Sequence, residues 1–391
     1  MPKRKIDDSE IDLDLLNYVS SDESLRNSDS DDFSPSEWSA SDSDSESDSV
    51  LHTGPSTSSG TTSITSSWTT SSTQSREEFD FTGDEGIKIP VNNPEEILEI
   101  FECIANEDII NHITAETNKH AEEVILQATQ KGMKKRSRMN DWQSTTANEI
   151  RLLQGIFLLM SIVKKPDLQS YYCRKPLLNT PIFYETMTKD RFILLFKFLH
   201  FSSSNDKTDK LYKIRDLLNL YRNSFKSVYA PSKRISIDES LLLWKGRLGW
   251  RIYVPLERAR FGIECFFLCE TKTGYIYSFA MYTGKGTQFP ITLTDVDPSK
   301  QCHSTNIVLS LMEDLLDKGY HLGVDNYYSS VYLFEYLVRH STDVTGTVRK
   351  TRKELPQDVI LSKLKKGETS VRYKDKLMMI KWKDTKVSFH F

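Results

Sequence analysis

This 391-residue chain has little with which to enter or cross a membrane. Its longest apolar stretch, Gly155-Ile156-Phe157-Leu158-Leu159-Met160-Ser161-Ile162-Val163, is far shorter than the roughly 20 residues that span a bilayer, and reads as a buried helix. No signal peptide opens the chain. Cysteine is scarce, scattered and odd in number (Cys103, Cys173, Cys265, Cys269, Cys302), which suits a reducing compartment better than a disulfide framework. Cys265 and Cys269 sit in the apolar run Cys265-Phe266-Phe267-Leu268-Cys269, a core position rather than a metal knuckle. His200 has no Cys or His partner at ligand spacing, so a core histidine bonded to backbone is expected there.

The first 80 residues almost lack aliphatic periodicity. They are Ser-, Asp- and Glu-rich, as in Ser41-Asp42-Ser43-Asp44-Ser45-Glu46-Ser47-Asp48, with a Ser/Thr tract at 56–73. Such a stretch buries too little apolar surface to offset its chain entropy, so a disordered acidic tail is expected over 1–80. The overall charge of −4 hides a split: residues 1–85 carry 20 acids against 5 bases, and residues 86–391 carry 35 acids against 46 bases. A basic body behind an acidic tail suggests a polyanionic partner. Pro2-Lys3-Arg4-Lys5 has the composition of a nuclear import signal.

From Asn93 to about Val228 the apolar spacing is helical. Helices are expected near 94–101, 109–130, 145–163, 188–201 and 211–228, with Pro166 ending the third. A cationic patch, Lys131, Lys134, Lys135, Arg136 and Arg138, follows Gln130. Strands are expected at about 234–243, 251–255, 263–270 and 275–282, the last two forming a hairpin through Thr271-Lys272-Thr273-Gly274. Then come helix 305–318, strand 320–324, helix 329–339 and strand 343–348, with further strands at 371–373 and 377–382.

Two acids stand out on this scaffold. Ile235-Ser236-Ile237-Asp238-Glu239 puts a carboxylate pair into an alternating strand, and Tyr320-His321-Leu322-Gly323-Val324 runs into Asp325-Asn326. Carboxyl ends of strands in α/β sheets line site crevices, so Asp238 and Asp325 can meet in space. Such carboxylates suit Mg²⁺, a hard cation held by a few acids and substrate phosphates in phosphoryl transfer. Gly323 is expected to permit a close approach of backbone or ligand. Asn326 fits a turn with Asp325. Arg349-Lys350-Thr351-Arg352-Lys353 is the densest basic cluster of the folded part, read equally as phosphate contacts or as an exposed turn.

Ser236-Ile237-Asp238-Glu239-Ser240, Lys245-Gly246-Arg247, Arg251-Ile252-Tyr253-Val254-Pro255, Arg260-Phe261-Gly262-Ile263, Cys269-Glu270-Thr271-Lys272-Thr273-Gly274-Tyr275, Tyr282-Thr283-Gly284-Lys285-Gly286, Val324-Asp325-Asn326-Tyr327-Tyr328-Ser329-Ser330 and Gly346-Thr347-Val348-Arg349 occur in that order. With Arg191-Phe192 and Leu199-His200-Phe201 upstream, this series resembles the piggyBac-type DDE transposases and the host proteins derived from them, from about Phe81 onward.

The resemblance implies an α+β fold: a helical dimerisation and DNA-binding region over 81–230, an RNase H-like mixed sheet over 231–350, and the start of an interrupting domain over 351–391. It implies that Asp238 and Asp325 are the first two of three catalytic acids and hold Mg²⁺ or Mn²⁺. It also implies Arg349, Lys350, Arg352 and Lys353 as DNA contacts, a homodimer, DNA as partner and no small-molecule substrate.

The family's third acid sits in a Gly-Gly-Val-Asp-like motif, and this sequence has none. The resemblance also implies a Cys-rich zinc-binding domain, for which these 391 residues hold no match. Asp358, Asp375 and Asp384 are poor substitutes by position, and alternation aims Glu239 away from Asp238. Glu264 stands where relatives carry lysine, which is expected to reverse a charge near the site and weaken DNA contact. The expectation is a DNA-binding, catalytically incomplete derivative; the alternative is an active cut-and-paste transposase.

Overall fold

The structure is a computed structural model that describes residues 68–71, 78–93, 95–254 and 260–391. The acidic tail before Trp68 and Pro2-Lys3-Arg4-Lys5 lie outside the described residues, as do Pro94 and 255–259. No helix among the described residues is long and apolar enough to cross a membrane. The chain divides into two compact units, 93–221 and, with the segments before Asn93, 222–391.

The first unit is helical: α1 (Ile97–Ile104), α2 (Glu107–Gln130), α3 (Ala147–Ile162), α4 (Pro181–Thr186), α5 (Lys189–Phe198) and the start of α6 (Arg215–Val228). Side-chain caps fix several starts: Asn106 accepts from Ile109 N, Thr146 from Glu149 N and Thr188 from Arg191 N. Each such cap contributes about 1 kcal/mol. α1 begins later than its sequence suggests because Asn93 Oδ1 closes a turn on Glu95 N (3.2 Å). The short α4, with Pro181 in its first turn, escapes periodicity reading because it spans barely more than one turn.

Phe183, Phe192 and Leu153 form the apolar centre of this unit. Beside it Arg191 grips Glu149 in a fork (2.6 and 2.5 Å), whose bonds hold the Glu149 carboxyl below its ordinary value. His200 follows the end of α5 and stacks on His120 (4.1 Å, 9°). Burial pushes its imidazole down, against a bond to the Ser202 backbone.

The second unit is built on a six-stranded sheet. Its path runs β4 (Ile252–Tyr253), β5 (Phe261–Glu270), β3 (Arg234–Leu243), β7 (His321–Val324) and β8 (Asp343–Gly346), with β6 (Ile276–Met281) paired to β5. β6, β5 and β3 are antiparallel, whereas β3, β7 and β8 run parallel. This is the RNase H-like mixed sheet the resemblance implies.

Helices α7 (His303–Met312) and α8 (Val331–Arg339) bury Ile307, Leu311 and Leu333 in one cluster with Ile235, Ile237 and Phe266 of the sheet. Full burial of each such side chain stabilises by about 1.5–3 kcal/mol. α7 is shorter than the apolar pattern suggests, passing into a tight turn at Glu313–Leu315. A small pair, β1 (Gly86–Ile87) with β2 (Tyr229–Ala230), precedes β3.

Past Gly346 the chain changes partner: Val348 N bonds Phe389 O (2.9 Å) and Phe391 N bonds Gly346 O (2.9 Å). These bonds attach a three-stranded sheet of β9 (Thr369–Lys374), β10 (Leu377–Lys383) and β11 (Val387–His390), reached through α9 (Gln357–Leu361). Leu355, Val359, Met379 and Phe391 join the same core cluster as β3 and α7. Trp68, which composition assigns to the tail, donates its indole N–H to Glu354 O (2.8 Å) and stacks on Phe391. Thr69 pairs with Tyr373 on the outer edge of β9.

Candidate functional site

The β3 residues Ile235 and Ile237 are buried against α7 and α8, so Ser236, Asp238 and Ser240 face the other way. β7 lies parallel to β3 with Ser236 opposite Gly323 and Ile237 opposite Val324. Asp238 and Asp325 are each one residue past that last pair. Alternation carried one step beyond Val324 puts Asp325 on the side of Gly323 and Ser236, which is also Asp238's side. Neighbouring strands lie about 4.8 Å apart, so the register brings together the two acids singled out from sequence.

Each carboxylate is steadied locally. Asp238 Oδ1 accepts from Glu239 N (2.9 Å), and Asp325 Oδ1 accepts from Tyr327 N (2.7 Å). The Asp325 turn is closed further by Ser329 Oγ donating to Asp325 O (3.0 Å). Arg349 Nε donates to Asn326 Oδ1 (2.8 Å), and Arg352 donates to the carbonyls of Asn326 and Tyr327. Arg349 and Arg352 thus brace the loop that presents Asp325. Lys350 and Lys353 are exposed beside them with no carboxylate partner among the described residues.

On the opposite face of the strand from Asp238 lie two further acids, Glu239, which is exposed, and Glu264, which is interior. Glu239 Oε2 accepts from Tyr328 OH (3.0 Å). Burial, with the nearby charges of Asp238 and Asp325, pushes the Glu239 carboxyl up, and the Tyr328 bond partly offsets this. Glu264 pairs with Leu241 across β3 and β5, which places it on Glu239's side. It is 9% exposed, and burial plus the Glu239 charge push its carboxyl up to about 7. Glu264 is thus an interior acid on the face opposite Asp238.

One expectation is corrected: no backbone approaches Gly323 closely. A Cβ on Gly323 would meet nothing closer than 3.7 Å, so that position tolerates a side chain. The close approach is at Gly346 on β8, where a Cβ would stand 2.6 Å from Val324 O and 2.8 Å from Ser329 Oγ. Gly346 is the residue that lets the Asp325 loop settle.

Asp238 and Asp325 supply two hard oxygen donors, the ligand type that Mg²⁺ and Mn²⁺ take. Among the described residues no three His, Cys, Asp or Glu side chains converge to hold a metal ion. The donor set fits one side of a metal centre and not a full two-metal site. Sequence reasoning gave Tyr328 no role, because its link to Glu239 spans 89 residues and carries no local signal.

A family model described as Transposase IS4 matches residues 98–390. The human PiggyBac transposable element-derived protein 2 is 27% identical over 305 residues, covering 74% of this chain and 46% of that protein. The human PiggyBac transposable element-derived protein 3 is 27% identical over 306 residues, covering 76% and 47%. The chain thus spans about half the length of these relatives. A piggyBac transposase solved by cryo-EM as a synaptic complex with hairpin DNA has a TM-score of 0.65 at 22% identity, covering 78% of this chain and 63% of that one. That likeness is one of fold.

Proposed function

From the premise that this chain belongs to the Transposase IS4 family, among piggyBac-type proteins, we propose that it binds DNA and, with the residues it holds, does not carry out strand transfer. The carrying observation is the pairing of Asp238 and Asp325 on one sheet face without a third converging ligand among the described residues. In-line phosphoryl transfer needs charge stabilised on both the attacking and the leaving oxygen. Two acids alone leave that stabilisation incomplete. The basic body and the exposed Lys350 and Lys353 supply the phosphate attraction, with a nuclear address and a homodimer as part of the same proposal. Arg349 and Arg352 support DNA contact indirectly, by shaping the loop between those lysines and Asp325.

The test is fluorescence anisotropy of the full chain with a duplex at about 50 mM salt, beside a supercoiled-plasmid nicking assay with Mn²⁺. Salt-dependent binding without nicking is expected. Nicking that Asp238→Asn/Asp325→Asn abolishes would establish the active-transposase alternative. Absence of binding at low salt would remove the DNA reading altogether.

A further inference from the structure

β3 does not stop at the acid pair. It continues through Leu242, Leu243 and Trp244, which are 58%, 54% and 42% exposed. The β3–β5 register ends at Leu243 opposite Gly262, and Trp244 N bonds Phe261 O (3.2 Å), which sets Trp244 opposite Phe261. Phe261 is in turn paired with Tyr253 of β4, ring on ring at 4.6 Å and 37°. Directly opposed residues share a sheet face. Trp244, Phe261 and Tyr253 therefore form an aromatic row across three strands. By alternation along β3 it lies on Asp238's face, about 20 Å away for six residues.

The row is built rather than incidental. The indole of Trp244 lies against Gly246, where a Cβ would come within 2.8 Å of Nε1. Arg251 closes the loop by donating to Gly246 O (3.1 Å) and sets its guanidinium over the Phe261 ring (5.1 Å). No acid occurs between Ser240 and Val254, while Lys245, Arg247 and Arg251 do. Lys245, Arg247 and Arg260 are exposed, and none of them has a carboxylate partner among the described residues.

The exposed rings of Trp244 and Phe261, with half-buried Tyr253, among cations that have no carboxylate partner among the described residues fit a polyanion that also presents flat apolar faces. A second copy of this surface would set like charges against one another. Duplex DNA offers base faces only at its ends, whereas an unpaired strand offers them along its length. The geometry points to the Trp244–Phe261–Tyr253 row, with Lys245, Arg247 and Arg260, as a platform for an unpaired nucleic-acid strand leading toward Asp238. The inference rests on the DNA-binding reading and names the surface and the strand state it takes.

The test titrates the full chain, parent and variants, against a fluorescein-labelled single strand and against the blunt duplex of the same sequence. Trp244→Leu is expected to weaken single-strand binding about tenfold, within the range that stacking one base on an aromatic ring contributes, and to leave duplex binding within about twofold. Phe261→Leu at the neighbouring position should act in the same direction, and thermal melts matching the parent's would exclude misfolding. Lys245→Ala/Arg247→Ala should reduce the logarithmic salt slope for the single strand by about 1.4, two phosphate contacts' worth.

Parent-like single-strand affinity in both aromatic variants, with duplex binding retained, would overturn the platform alone. Failure of the parent to bind either nucleic acid at low salt would overturn the DNA reading, and the platform with it. A parent dimer that Trp244→Leu converts to monomer without loss of single-strand affinity would assign the row to self-association instead.

Discussion

Tyr328, fully buried between the sheet and its helices, donates a 3.0 Å hydrogen bond to Glu239, the residue that follows Asp238 on β3. The bond ties the loop after Asp325 to the strand that carries Asp238, behind the face where the two acids sit. Tyr328→Phe should cost about 0.5–1.5 kcal/mol, the range for a single intramolecular hydrogen bond. Denaturant unfolding checks this.

Glu264 makes folding pH-dependent in a stated window. Below the ordinary value of 4.5 both folded and unfolded chains carry its proton, and between 4.5 and about 7 only the folded chain retains it. Stability from this group is therefore complete below 4.5 and lost as pH rises through about 7, by on the order of 3 kcal/mol. Glu264→Gln should leave stability near pH 4 unchanged and raise it at pH 8. Urea midpoints across that range measure the effect, and parallel parent and variant curves would refute it.

The two glycines beside Asp325 should answer differently to the same change. Gly346→Ala forces a methyl into Val324 O and Ser329 Oγ and should destabilise by about 2 kcal/mol. Gly323→Ala makes only ordinary contacts, the nearest at 3.7 Å from Ile235 O, and should be neutral or stabilise by about 0.5 kcal/mol through the unfolded chain. Chemical denaturation midpoints of the two variants decide the matter.

Within the basic cluster, stability and DNA affinity should separate. Arg352→Ala removes the bonds to Asn326 O and Tyr327 O and should lower stability by about 1 to 2 kcal/mol. Lys350→Ala/Lys353→Ala touches no such bond. It should leave unfolding within about 0.5 kcal/mol of the parent while reducing the salt slope of duplex binding by about 1.8. A slope unchanged in the lysine variant would remove these side chains from the DNA surface.

Much of this was written locally. Alternation at Ile235, Ile237 and Asp238 set which way the acid faces, and a strand running into Asp325 marked the second acid, because facing within a strand depends only on its own spacing. The helices of 93–228 were legible for the same reason, apart from their ends and the short α4. Charge sums divided tail from body without any structure.

What lay beyond the sequence was every relation that depends on register between distant strands. Glu264 is interior because β5 sets it opposite Leu241 on Glu239's face, and no local pattern states that pairing. Gly346, not Gly323, is the crowded position because β8 lies beside the Asp325 loop. Arg349 and Arg352 turn toward the Asp325 loop because Asn326 and Tyr327 present acceptors to them. The aromatic row joins residues from three strands whose only common property is their cross-strand alignment. The sequence determined what each strand shows on either side; the packing of α7 and α8 against Ile235, Ile237 and Phe266 decided which side is buried, and so which acids stand together in the open.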